Sequence, residues 1–302
     1  MRRGVVVGLV IAAVAIVVGG GAVWWILSRP SGPETTASAY LEALAAGDGP
    51  RALSYVEAPE GDDVLPSAYE GADEYVSDPV VDQVSETNGG ATADVRFRLD
   101  GRERSATLPL VQRDGRWLVG AAGLGTVTAT TTIGDHVRVG AATIPAGEEV
   151  ALLPAVYPVS AAPAGLLDGS ARVLVLPGAQ GDAAVDASVS SEATRLAQKQ
   201  LDGYASECTQ PASSVPEHCG LRVPWAADLA TLTSIAFRVE QTPQVALSPD
   251  LRTFAATGGI VVATATGTTR AGETASFTYR ADDWTLRGTV ELTSDGMQLA
   301  VG

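Results

Sequence analysis

Lysine is almost missing from this chain: one residue in 302, against nineteen arginines. Positive charge as a whole is short, with 20 basic residues against 35 acidic ones and a formal net charge of -15. A chain this acidic repels phosphate, which excludes a nucleic-acid-binding module. The two cysteines are too few for a disulfide-built scaffold or a four-cysteine zinc site. The two histidines leave little room for a His-rich metal site. Signature motifs of catalysis are also missing: there is no GxSxG elbow, no SxxK, no HExxH and no Walker loop. Disorder is excluded by the opposite argument, since 46% of the residues are hydrophobic and only 18% charged.

What is present is unevenly placed. Residues 1–33 hold no acid, only Arg2, Arg3 and Arg29, so the remaining 17 basic residues face all 35 acids and the body carries −18. Gly4 to Leu27 is a run of 24 residues without a charge. As a helix it would be about 36 Å long, enough for a hydrocarbon core of about 30 Å. Trp24 and Trp25 sit at one end, where indoles favour the headgroup layer, and Ser28, Arg29 and Pro30 end the run. The run predicts a transmembrane signal anchor in contact with the lipid bilayer through residues 4–27. A cleaved signal peptide has a shorter apolar stretch and a small-x-small site, whereas bulky Trp24, Trp25, Ile26 and Leu27 occupy that place. No cysteine follows to make a lipobox. Arg2 and Arg3 put the N-terminus in the cytoplasm and the bulk of the chain outside the cell membrane. The Gly4/Gly8 spacing is read as ordinary small-residue content at the edge of the span.

Beyond the leader, Ala37, Tyr40, Leu41 and Leu44 recur with helical spacing behind Pro33, and Gly47 can end the helix. Asp48 can cap a second short helix from Pro50 to Glu57, and a third is expected near Ala68 to Val76. Strand patterns run from Val80 to Glu86, Ala91 to Leu99, Arg104 to Gln112 and Arg116 to Gly120, with hairpin turns at Asp100-Gly101 and Asp114-Gly115. From Gly125 to about Val185 only strand-like segments appear, one of them Glu148 to Val159. A helix is expected from Ser190 to Ala205, then a β-rich tail from Ile235. Asp282, Asp283 and Trp284 read as a turn entering a strand.

The run from Ala39 to Leu53, AYLEALAAGDGPRAL, and the hairpin from Leu108 to Val119, LPLVQRDGRWLV, resemble the NTF2-like (cystatin-like) superfamily over about 90 residues. The run Leu153 to Val159, LPAVYPV, resembles a strand of small envelope-associated β-modules. The expected fold class is therefore α+β and β-rich: an N-terminal transmembrane helix, an NTF2-like domain, a small all-β module and a second cystatin/NTF2-like α+β domain. The expected boundaries are 1–32, 33–125, 126–186 and 187–302. The resemblance implies a cone-shaped cavity in the first domain, with Tyr40, Tyr55, Phe97 and Trp117 as lining candidates and Tyr69 nearby. No histidine joins them, and aromatics on inward positions are equally core.

Cys208 and Cys219 lie on one Pro/Gly-rich loop and predict a disulfide if the body is outside. The rival reading, zinc held by Cys208, His218 and Cys219, has poor spacing. Asp135-His136 could orient a base, although a histidine beside a turn aspartate is commonly a solvated strand residue. The acids at 60–63 lack the alternating pattern and glycine of a calcium loop. No catalytic residue, cofactor or metal is expected. The chain reads as a non-catalytic extracytoplasmic binding or scaffold protein with an envelope protein as partner. The arginine bias and Ala/Gly richness resemble an actinobacterial envelope protein. The alternatives are a conjugation or type IV secretion-like assembly factor, which the resemblance allows, and a small-molecule carrier or enzyme using the cavity.

Overall fold

Pro33 and Gly47 bracket the first helix for opposite reasons. The proline spends no backbone donor at the first turn, and the glycine takes the left-handed φ of +69° that stops the helix. The computed structural model describes residues 32–57, 64–87, 89–294 and 296–302. The run 4–27 read as a membrane anchor and the acids at 60–63 lie outside the described residues. Helix α1 (Pro33–Ala45) buries Ala37, Tyr40, Leu41 and Leu44, the predicted stripe. Asp48 caps α2 (Gly49–Leu53) by accepting from the Arg51 amide at 3.1 Å. The third helix, α3, spans Val64–Glu70 rather than Ala68 to Val76, and buries Leu65, Ala68 and Tyr69.

After the short β1 (Glu74–Tyr75), four strands form an antiparallel meander in sequence order: β2 (Ser77–Thr87), β3 (Gly90–Leu99), β4 (Arg102–Arg113) and β5 (Arg116–Val119). β3 alternates strictly, with Ala91, Ala93, Val95, Phe97 and Leu99 buried against α1. Asp100-Gly101 and Asp114-Gly115 both have two successive positive φ angles, the geometry of the tight hairpin turn that twists with its strands. The backbone at 55–57 lines up parallel to β5, exchanging hydrogen bonds with Val119 at 2.7 and 2.8 Å, and so covers that edge of the sheet.

The next segment is all strand: β6 (Gly125–Thr131), β7 (His136–Val139), β8 (Ala142–Pro145), β9 (Glu149–Leu152), β10 (Ala155–Ala161), β11 (Leu167–Asp168), β12 (Ser170–Val175), β13 (Gln180–Val185) and β14 (Ser188–Val189). The expected single strand from Glu148 to Val159 is two strands in different sheets, because the chain turns away at Leu153-Pro154: β9 pairs with β6, and β10 with β7 and β12. β1 also pairs with β10, Glu74 opposite Val156 and Tyr75 opposite Ala155.

Ser190 then caps α4 (Ser191–Cys208), its hydroxyl accepting from the Ala193 amide at 3.1 Å. The last sheet has the order β15 (Thr231–Gln241), β17 (Thr253–Thr268), β18 (Thr274–Leu292), β19 (Met297–Val301), with β16 (Gln244–Leu247) also on β17. Asp282-Asp283 is not a turn: β18 runs through it. The register slips by one residue there and slips back at Gly258-Gly259 of β17, so the two bulges bend a continuous hairpin. α4 buries Ala193, Ala197, Leu201 and Ala205. Two glutamines on its flanks reach two different strand edges. The Gln198 amide donates to Pro243 O at 3.0 Å and accepts from Val245 N at 2.9 Å; Gln200 does the same to Met297 O and Leu299 N, both at 2.9 Å. Each side chain substitutes for a neighbouring strand, so α4 closes the curled sheet between β16 and β19. Replacing Gln200 by Ala is expected to cost about 1–3 kcal/mol, and Gln198→Ala a similar and nearly additive amount, because each strips a donor and an acceptor from a strand edge. Urea unfolding midpoints check this; a double variant no weaker than either single one contradicts it.

The expected fold class is corrected by this architecture. The described residues are 53% strand against 19% helix, so they are strand-dominated rather than the α+β arrangement with a transmembrane helix that was expected. None of the described helices is long and apolar enough to cross a membrane, so the expected transmembrane helix has no counterpart among them. The helical periodicities are real, but they cover only three short helices and α4. Strand pairing instead continues through polar pairs such as Asp282-Asp283, where a bulge interrupts the period-two alternation. One cluster of buried hydrophobic residues extends from Ala37 through Val137 and Tyr157 to Met297.

Candidate functional site

Residues 209–230 connect α4 to β15, a long stretch whose only helical element is a single turn at Trp225–Ala227. A connection of this length needs tethers if it is to hold one shape. This one has many. Cys208 and Cys219 are joined, with Cα atoms 5.6 Å apart and both residues buried. The Trp284 indole donates to Cys219 O at 2.8 Å and the Tyr204 hydroxyl to His218 O at 2.9 Å. Ala212 exchanges two backbone bonds with Ile235 at 2.8 and 3.0 Å. Arg270 donates to the carbonyls of Ala226 and Ala227, and the Tyr279 hydroxyl to Asp228 at 2.8 Å. Partial burial, and after it the neighbouring Asp228 carboxylate, raise the Tyr279 phenol above its ordinary range.

The predicted disulfide is therefore formed. Its sulfurs are bonded to each other, which leaves no thiolate for the Cys208–His218–Cys219 zinc reading. The bridge spans 11 positions in sequence. Closing a loop of that length restricts the unfolded chain by about 2–3 kcal/mol. Reduction, or the double variant Cys208→Ala/Cys219→Ala, should lower stability by that amount. Thermal unfolding with and without reductant measures it, and a midpoint indifferent to reductant contradicts it.

The tethered loop walls a trough on β18. Its main cavity is about 590 Å³, bounded on one side by His218, Gly220 and Arg222 and on the other by Asp283, Trp284 and Arg287. A smaller one of about 140 Å³ continues it past Pro224 and Tyr279; the two share Leu221, Arg222, Val261 and Ala281. The walls touch at Gly220 as well as at the Cys219–Trp284 hydrogen bond. Gly220, at φ +62°, lies so close to β18 that an added Cβ would fall 2.2 Å from Thr285 O. The floor is apolar, from Val261, Ala281 and Leu286, and the rim is charged. Arg280 is neutralised by Glu240 and Asp282. Arg222, Arg287 and the His218 ring have no ion pair or side-chain hydrogen bond among the described residues, although Asp283 lies in the same lining.

The aromatics proposed from sequence sit elsewhere. Tyr40 and Phe97 are closed into the core, and the Tyr40 hydroxyl donates to Gly123 O at 3.0 Å. Tyr69 is buried and donates to Leu44 O at 2.7 Å. Tyr55 and Trp117 are half-buried against the same core. None of these lines the trough. Asp135 and His136 do meet, at 2.6 Å, on an exposed turn; the His136 hydrogen bond lowers the Asp135 carboxyl below its ordinary range. No group of three or more metal-ligating side chains is assembled among the described residues. The sequence reading missed Arg222 and Arg287. The available signal was an arginine in a Pro-rich loop beside the cysteines; the strand partner gave none.

No family model matches the chain. No curated protein matches it either. Among solved structures it is similar to a Campylobacter jejuni protein carrying the name NTF2-like transpeptidase, with 19% identity over 30% of this chain and 98% of that one and a TM-score of 0.23. At that score the likeness carries no argument about this chain's activity.

Proposed function

We propose that this chain is an extracytoplasmic, non-catalytic binding or scaffold protein held at the cell membrane by its apolar leader. The observation that carries the reading is the Cys208–Cys219 bridge, which both implies an oxidising compartment and pins the wall of an open trough. Support from sequence comes from the uncharged run 4–27, whose partner is the lipid bilayer, and from the −18 body, which stays soluble and clear of anionic headgroups. The arginine bias supports an actinobacterial envelope as the setting and an envelope protein as the partner. The helix-on-sheet part at 33–119 serves in this reading as an NTF2-like platform, with Tyr40 and Phe97 as packing residues.

The test is made on cells producing the full chain. The protein is expected in the membrane fraction, open to protease added from outside, with thiols that react with an impermeant maleimide only after reduction. Recovery from the cytosol with two reactive thiols would overturn the reading.

A further inference from the structure

The strand edges of the first and last sheets are guarded, except along one stretch of β18. The segment 55–57 covers β5, and Gln198 and Gln200 cap the edges of β16 and β19. β2 carries Pro79, which has no amide to donate, and two register slips. β15 has two slips of its own and is bridged by Ala212 at Ile235. Each device keeps a foreign strand from pairing there. β18 differs. β19 covers it from Leu292 to Gly288, and Gly302 N adds a last rung to Arg287 O at 3.0 Å. From Thr274 to Ala281 it pairs only with β17, and no other backbone group among the described residues bonds to its outer edge. The tethered loop meets Val261 and Ala263 of β17 as well as Tyr279 and Ala281, so it stands over the face of the sheet. The stretch holds no proline, lysine or glycine, and its register with β17 is unbroken.

In such a strand every second residue directs both its N–H and its C=O away from β17, so the open edge is a row of unmet donors and acceptors. A foreign strand would satisfy the backbone, but the side chains single out a second copy of this chain. Antiparallel pairing about a twofold axis at Thr278 sets Phe277 opposite Tyr279 twice, Ala275 opposite Ala281 and Arg280 opposite Ser276. Phe277 and Tyr279 are half-buried on one face, and Ser276 and Thr278 are exposed on the other. Aromatic cross-strand pairs are favourable, and no charge stands opposite its own sign. An axis at Arg280 would set that arginine against itself. Arg280 is already neutralised by Glu240 and Asp282. We propose that β18 is a dimerisation edge, two copies pairing antiparallel from Thr274 to Asp282 and joining their last sheets into one. The bulge at Asp282-Asp283 ends the ladder. The centre of the contact, Thr274 to Tyr279, carries no charge, and repulsion between the two acidic bodies is screened beyond a Debye length of about 8 Å. An interface about a twofold axis closes on itself, so association stops at two. This inference goes beyond the binding reading above and does not rest on it.

The experiment uses the full chain in detergent and three variants at the exposed Thr278. Sedimentation of the parent is expected to show a monomer–dimer equilibrium. Thr278→Lys and Thr278→Glu each set like charges opposite one another and should raise the dimer dissociation constant at least about tenfold, and an equal mixture of the two should restore the dimer. Thr278→Cys should link two copies on mild oxidation, because opposite Cα atoms in an antiparallel pair lie about 4.5–5.5 Å apart, within disulfide range. Thr92→Cys, exposed in β3, should stay unlinked under the same conditions. Circular dichroism matching the parent is the control on folding. A parent that stays monomeric at every concentration, or that grows past two copies, overturns the proposal. So does a dimer that Thr278→Lys leaves intact, which would place the contact elsewhere, a mixture that fails to restore it, or cross-linking no greater for Thr278→Cys than for Thr92→Cys.

Discussion

Raising the pH through the tyrosine range should unfold this protein cooperatively. Tyr40, Tyr69 and Tyr157 are each fully buried, and each hydroxyl donates to a backbone carbonyl: Gly123 at 3.0 Å, Leu44 at 2.7 Å and Leu153 at 2.7 Å. Burial first, and then the neighbouring tyrosines, push all three phenols far above their ordinary range. An ionised oxygen in any of these places would have no water and would face a carbonyl oxygen. In the unfolded chain the same groups titrate near 10. The folded value is the higher one, so the folded state holds more protons at alkaline pH. Their contribution to stability is intact below about pH 10 and is lost as pH rises above it. Three protons at about 1.4 kcal/mol each give a loss of about 4 kcal/mol per pH unit. A total stability of about 5–15 kcal/mol is then exhausted within roughly one to four units. Tyrosinate absorbance and far-UV circular dichroism, followed together, check it: the last part of the absorbance should rise only as ellipticity is lost. Tyr40→Phe should reduce the slope by about a third and cost about 1–2 kcal/mol at neutral pH, since Gly123 O loses its donor. A single smooth absorbance wave near pH 10 over unchanged ellipticity contradicts the prediction.

The parts of this fold legible from sequence are those whose cause is local. Asp100-Gly101 and Asp114-Gly115 can supply consecutive positive φ angles, and both hairpins are there. The α1 stripe and the Ser190 cap are likewise local patterns. The disulfide was legible because only two cysteines exist to pair. What was not legible depends on residues distant in sequence. Asp282-Asp283 has the polarity of a turn, and only its place opposite Gly258-Gly259 makes it a bulge in one long strand. Gln198 and Gln200 look like solvent-facing helix residues until β16 and β19 lie beside them. The trough is the extreme case. Arg222 and Arg287 are 65 positions apart, and the β18 bend and the tethered loop bring them to one rim. Strand dominance follows the same logic, since ladders such as β13 with β6 and β1 with β10 join segments that carry no mutual pattern.

Gly140→Ala should be among the most damaging small substitutions in the chain. Gly140 and Ala141 form the two-residue turn between β7 and β8, with Gly140 at φ +57° in the first central position. That position alone costs a side chain about 1–2 kcal/mol. The turn also presses against the end of α3. A Cβ at Gly140 would lie 2.0 Å from Ala68 O, and one at Gly71 2.3 Å from Ala141 N. Both obstacles are backbone atoms, which cannot rotate aside, so helix and hairpin must separate. Separation exposes Tyr69 and loosens the seat of α3 on β8, β9 and β10. Overpacking of this kind adds about 1–3 kcal/mol, for a combined loss of about 2–5 kcal/mol. Two controls divide the effect. Gly147 has φ +84° and nothing within 4 Å of an added Cβ, so Gly147→Ala carries the φ cost alone. Gly71 has an ordinary φ, so Gly71→Ala carries the clash alone. Denaturant unfolding of the three variants should rank Gly140→Ala lowest, with a loss near the sum of the other two. A Gly140→Ala loss no larger than that of Gly147→Ala would mean that α3 does not hold its contact with the hairpin backbone in solution.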